Sequence, residues 1–147
     1  MMANIFRMED GVFVGSQLTE ADIDALPAKG FRTLVVNRPD GEADDQMSHD
    51  AARAAAQRNG LAFHYQPVES VDATEDWAVA GFRDLLDSVE RPALFCCRTG
   101  NRSTLMWAQA AVSRLGVDAV IDAAAKAGCD FEPIRDIFED LARDGGK

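Results

Sequence analysis

A thiol, a glycine and a guanidinium stand close together in the stretch Cys97-Arg98-Thr99-Gly100-Asn101-Arg102-Ser103. Pro92-Ala93-Leu94-Phe95-Cys96 before it reads as a buried strand and Ser103 to Leu115 as a helix. The loop between them would bring its amides together beside a helix N-terminus, where anions bind. Arg98, Thr99, Gly100, Asn101 and Arg102 would form this anion-binding cradle, with Cys97 at its base. The helix dipole, the loop amides and the charge of Arg102 all favour a thiolate, the form of sulfur that attacks phosphorus or another sulfur. The residue types therefore point to nucleophilic chemistry on a small anion.

The elements that must hold this loop follow from apolar runs and their punctuation. Gly11 to Gly15 predicts a strand, and Thr19 caps a helix through Asp22, Ile23 and Leu26 that ends at Gly30. Phe31 to Val36 is apolar without alternation, as expected of a strand covered on both faces, and stops at the turn Asn37-Arg38-Pro39-Asp40-Gly41. A helix over Ser48 to Asn59, a strand over Leu61 to Gln66 and a loop over Pro67 to Thr74 come next. A further helix runs through Phe82, Leu85, Leu86 and Val89, and three more end the chain: one to Leu115, one over Val117 to Lys126 and one over Phe131 to Arg143. Trp77, Phe82 and Trp107 occupy helical positions suited to core packing. Strands alternating with helices predict an α/β fold, a mainly parallel central sheet flanked by helices, with its ligand site beyond the carboxyl ends of the strands. Arg38, Asp40, Glu69, Asp72 and Asp76 follow such ends and are candidate neighbours of the cradle, with Arg38, Asp40 and Asp76 on its rim.

Composition narrows the function classes. The 147 residues, 47% hydrophobic and 27% charged, suit a single domain over 1–147 without linkers or repeats. A formal charge of −10 repels polyanions and excludes nucleic acid as the expected partner. No apolar stretch reaches the length of a signal peptide or a membrane span, which predicts a cytoplasmic protein. Three cysteines, two of them adjacent, argue for reduced thiols, with Cys129 a small core residue. His49 and His64 lack partners at metal-ligand spacing, so neither a metal nor an organic cofactor is expected. The expected partner is a small anionic substrate or a phosphorylated protein; oligomeric state is not legible from periodicity.

Four segments together carry a resemblance: Val12-Phe13-Val14-Gly15-Ser16-Gln17, Val36-Asn37-Arg38-Pro39-Asp40-Gly41-Glu42, the loop Cys97 to Ser103, and the helix containing Trp107. They resemble the phosphatase-like domain of the bacterial beta-lactamase-hydrolase-like family, a branch of the cysteine-dependent phosphatase superfamily. The resemblance spans most of the chain and implies a dual-specificity-phosphatase-like fold. It implies activity less directly, because related domains also occur joined to sulfide-oxidising enzymes.

The loop fits two patterns. Cysteine phosphatases commonly show H-C-x-x-G-x-x-R-[ST]; counted from Cys96, five residues precede Arg102 as in that pattern, but Gly100 falls one position late. Counted from Cys97, Gly100 is in place but only four residues precede Arg102, which resembles the loop of rhodanese-type sulfurtransferases. Cys97 is the preferred nucleophile, because Cys96 ends the strand where phosphatases usually carry histidine. Cys96 then supports the loop or acts as a redox partner.

Under the phosphatase reading, Cys97 forms a phosphocysteine, Arg102 binds the phosphate and Ser103 assists departure of the thiolate. The resemblance suggests Asp72 as general acid, with Asp76 in reserve. Without an acid, hydrolysis should be slow and confined to activated esters such as aryl phosphates. A sulfurtransferase would instead form a persulfide on Cys97 and needs no acid. A third reading is a non-catalytic module that binds anions or senses oxidants.

Overall fold

In the computed structural model, which describes residues 3–144, five strands build one sheet. They are β1 (Ile5–Glu9), β2 (Val12–Gly15), β3 (Thr33–Val36), β4 (Ala62–Tyr65) and β5 (Ala93–Cys96), in the order β1-β2-β5-β3-β4. The last four are mutually parallel, and β1 pairs antiparallel with β2 at one edge. β1 was not among the expected strands, because Arg7 and Glu9 interrupt its apolar residues. Its local signal is Asp10-Gly11, a hairpin dipeptide between alternating positions.

Six helices cover the sheet: α1 (Glu20–Ala25), α2 (His49–Arg58), α3 (Asp76–Ser88), α4 (Asn101–Leu115), α5 (Val117–Lys126) and α6 (Arg135–Arg143). Adjacent strand residues point to opposite faces, and the apolar runs of β3 and β5 serve two separate cores. Leu34, Leu94 and Cys96 pack with Ile23, Leu26, Ala52 and Ala55 on the α1–α2 side. Val35, Ala93 and Phe95 pack with Phe82, Met106, Trp107 and Ala111 on the other. The expected α/β architecture and its covered central strands are therefore present.

Two expectations are corrected. Helix α4 begins at Asn101 instead of Ser103, because Gly100 turns the chain in the left-handed region at φ 96° and makes its cap. Trp77 is 57% exposed instead of packed in the core. The buried stripe of α3 is Ala78, Val79, Phe82 and Leu86. At about 100° per residue, Trp77 lies roughly half a turn away from Leu86 on the solvent side. Trp107 and Phe82 are fully buried as expected, and Cys129 joins the core. Among the described residues, no helix is long and apolar enough to cross a membrane.

Candidate active site

β5 is the middle strand of the sheet, and the chain leaving it turns over the carboxyl end of β2. The Cys97 amide donates to the Gly15 carbonyl at 3.2 Å, and the Gln17 amide donates to the Arg98 carbonyl at 3.0 Å. These bonds tie the start of the loop to the end of the neighbouring strand. The Gly100 amide then donates back to Cys97 Sγ at 3.2 Å, closing a tight ring around the sulfur. A residue with a Cβ would be strained at the positive φ of Gly100. Among the described residues, the amides of Arg98, Thr99, Arg102 and Ser103 find no acceptor in the protein.

Cys97, Arg98, Thr99, Asn101 and Arg102 line one cavity of about 350 Å³, closed on its other sides by Ser70, Ala73, Leu105 and Phe131. The two adjacent cysteines thus part company. Cys97 reaches the cavity, whereas Cys96 faces the α1–α2 core, where burial and then the neighbouring Cys97 push its pKa well up. The register with four residues between cysteine and arginine is the one whose two ends meet in the cavity.

Arg102 is held from two sides. Its side chain is only 8% exposed, and its Nη1 donates to Glu42 Oε2 and to the Val68 carbonyl, both at 3.0 Å, while Nη2 donates to Glu42 Oε1 at 3.2 Å. A guanidinium has five N–H donors in a fixed fork. Three are used here. The two that remain, the Nε–H and the second hydrogen of Nη2, lie on one edge, and among the described residues the buried Nε has no partner. Such an edge is the shape that grips two oxygens of a tetrahedral anion.

Spacing did not single out Glu42, the carboxylate that grips Arg102. It also accepts from Arg38 Nε at 3.0 Å, and Arg38 Nη1 donates to Gln17 Oε1 at 3.0 Å. Burial opposes ionisation of Glu42, but its hydrogen bonds to Arg102 and Arg38 and their charges prevail and hold its carboxyl below the usual range. Spacing did not single out Asn37 either. Its side-chain amide donates to the Gln66 carbonyl, and its Oδ1 accepts from Ser103 Oγ at 2.9 Å, so the end of β3 latches onto the first turn of α4. The signal for both was the turn after a central strand.

The other candidates fall in different places. Ser103 is buried and donates to Asn37; the sulfur of Cys97 takes its hydrogen bond from Gly100 instead. Asp72 ends a short 3-10 turn, Ser70–Asp72, whose neighbours Ser70 and Ala73 line the cavity while its own carboxylate does not. Asp76 opens onto a separate groove beside Arg83 and Ile137, away from the rim expected for it. Asp40 is likewise not on the rim: its carboxylate accepts from the His49 amide and contacts His49 Nδ1, and His49 stacks on Tyr65. Arg38 stands behind Arg102 as the second partner of Glu42 and lines a neighbouring groove. Arg98 is exposed and lines both the cavity and that groove. Among the described residues, no group of three or more His, Cys, Asp or Glu is placed to hold a metal ion.

A cysteine and a buried arginine meeting at the carboxyl end of a mainly parallel sheet define the cysteine-phosphatase class of α/β domains. The same architecture is found in a kinase-associated phosphatase, at 16% identity and a TM-score of 0.67 over 96% of this chain and 93% of that one. Residues 6–116 match the phosphatase-like domain of beta-lactamase hydrolase-like proteins, and the chain belongs to that family. A candidate phosphatase from Neisseria meningitidis Z2491 is 31% identical, with a TM-score of 0.83 over 93% of this chain and 97% of that one. The beta-lactamase hydrolase-like protein of Xylella fastidiosa Temecula1 is 35% identical over 80 residues, which cover 54% of this chain. The matched segments span 18% to 23% of the curated relatives' own length.

Proposed function

We propose that this domain hydrolyses phosphomonoesters through a phosphocysteine on Cys97. One observation carries the reading: Arg102, whose buried Nε has no partner among the described residues, lines the same cavity as Cys97. In the first step Cys97 Sγ bonds to phosphorus as the bond to the leaving oxygen breaks. Arg102 Nε and Nη2 hold two of the equatorial oxygens, and the unpartnered loop amides serve the others. In the second step water attacks phosphorus, the S–P bond breaks, and inorganic phosphate leaves with the thiolate restored.

No carboxylate belongs to the cavity wall among the described residues. Asp72 can serve as general acid only through an inward movement of the Ser70–Asp72 turn; otherwise the leaving oxygen takes its proton from solvent. Lacking a positioned acid costs about 10²–10⁴-fold for poor leaving groups. Aryl phosphates are accordingly the preferred substrates. The test is hydrolysis of an aryl phosphate by wild type and Cys97→Ser: turnover in the first and none in the second supports the reading, and equal rates overturn it.

The four-residue spacing between Cys97 and Arg102 favours a second reading, sulfur transfer. Cys97 would take sulfane sulfur from thiosulfate, releasing sulfite, and pass it to cyanide. Thiocyanate formation that disappears in Cys97→Ser, without aryl phosphate hydrolysis, would support it over the first.

A further inference from the structure

The wall of the cavity formed by Ser70 and Ala73 belongs to a segment of unusual character, Glu69 to Trp77. Val71 is 84% exposed and Trp77 57%, the two most exposed large apolar side chains among the described residues. Beside them in the chain are Glu69, Asp72 and Glu75, none of which has a basic partner within ion-pair distance among the described residues. The chain has no Lys or Arg between Arg58 and Arg83. Several other surface carboxylates are paired with arginine: Glu20 and Asp24 meet Arg58, Glu9 meets Arg114, and Asp118 and Glu132 meet Arg135. Among the described residues, the two most exposed large apolar side chains and these unpaired carboxylates fall in one segment, whose Ser70 and Ala73 line the candidate active site.

That combination asks for cations with apolar side chains between them. The cavity, at about 350 Å³, lies near the lower end of ordinary ligand pockets, roughly 300–1,000 Å³. Its volume suits a phosphoryl group with one side chain, so recognition of anything larger must come from the rim. We propose that the rim carrying Glu69, Val71, Asp72, Glu75 and Trp77 docks a peptide substrate in which lysine or arginine and a large apolar residue flank the phosphorylated side chain. The proposal rests on the phosphatase reading for its chemistry, but docking itself can be measured without turnover.

Trp77 supplies the probe, since Trp107, the second of the two tryptophans, is fully buried. Titration of the full chain with a phosphonotyrosine peptide flanked by lysine and leucine should shift Trp77 emission. A peptide flanked by glutamate and serine should bind at least tenfold more weakly, and the preference should fall as salt is raised. Val71→Ser with Glu75→Gln, which leaves the fluorophore in place, should remove about tenfold of the affinity for the basic peptide. Turnover then separates the two levels. Preferred hydrolysis of the basic phosphotyrosine peptide, reduced in Val71→Ser with Glu75→Gln while p-nitrophenyl phosphate turnover is unchanged, confirms the docking. Hydrolysis of p-nitrophenyl phosphate with no preference between peptides overturns the docking and leaves the hydrolase standing. A peptide preference in binding with no hydrolysis of any phosphate keeps the docking and overturns the chemistry.

Discussion

Two carboxylates in this molecule are each gripped by arginines, and only one of the clusters is open. Glu9, at the end of β1, accepts from Trp107 Nε1 at 2.8 Å and from both terminal nitrogens of Arg114 at 3.0 Å. Burial alone would raise its pKa, but hydrogen bonds from Arg114 and Trp107 and the charges of Arg114 and Arg91 lower it. Glu42 makes the same kind of fork with Arg102, with Arg38 as its second cation. The difference lies in what is left over. Arg114 is half exposed, and water can serve its remaining donors. Arg102 is 8% exposed, and its buried Nε has no partner among the described residues. Burying an unpaired donor costs about 1–3 kcal/mol, a cost that an anion bound beside Cys97 would offset.

Breaking the two clusters in parallel should give opposite signatures. The largest effect is expected from Arg102→Ala, which removes the anion grip and should lower kcat/KM for an aryl phosphate by roughly 10²–10³-fold. Arg114→Ala should leave kcat/KM unchanged and lower Tm. Next come the carboxylates. Glu42→Gln keeps a side chain of the same shape but frees Arg102 to turn, and kcat should fall by about tenfold with KM little changed. Glu9→Gln should spare kcat and cost about 1–3 kcal/mol of stability in denaturant unfolding. Equal losses of activity from Glu9→Gln and Glu42→Gln would erase the distinction.

Glu42 could not be paired with Arg102 from the sequence, because 60 residues separate them and neither stands in a periodic pattern. The same holds for Asn37 and Ser103, joined only because β3 and β5 are neighbours. What was legible was local. The apolar runs of β2, β3 and β5, the cap at Thr19, and the alternation of strands with helices were enough for the fold. The loop itself was legible because its thiol, glycine and guanidinium are contiguous in chain. Side-chain direction was not: Trp77 points outward and Asp40 turns to His49, each decided by packing around the element rather than by spacing along it.

The smallest expected effect is on pH dependence. Both carboxyls titrate below the ordinary glutamate value of 4.5 in the folded chain. A depressed folded value gives stability that is fully present above about 4.5 and is lost as pH falls through the folded value. Below that point wild type should lose stability through Glu9 and Arg102 positioning through Glu42. Glu9→Gln should flatten the acid limb of Tm against pH, and Glu42→Gln the acid limb of kcat. A limb left unchanged in either variant would remove that carboxylate from its assigned role.

The central claim is that Cys97, not its neighbour Cys96, takes the transferred group while Arg102 holds it. Acid-quenched mass spectrometry after brief exposure to an aryl phosphate, with fragmentation between the adjacent cysteines, tests this most directly. A phosphoryl group on Cys97 that accumulates in wild type and is absent from Arg102→Ala is the predicted result. A label on Cys96, or a persulfide from thiosulfate with no phosphoryl adduct at all, would contradict it.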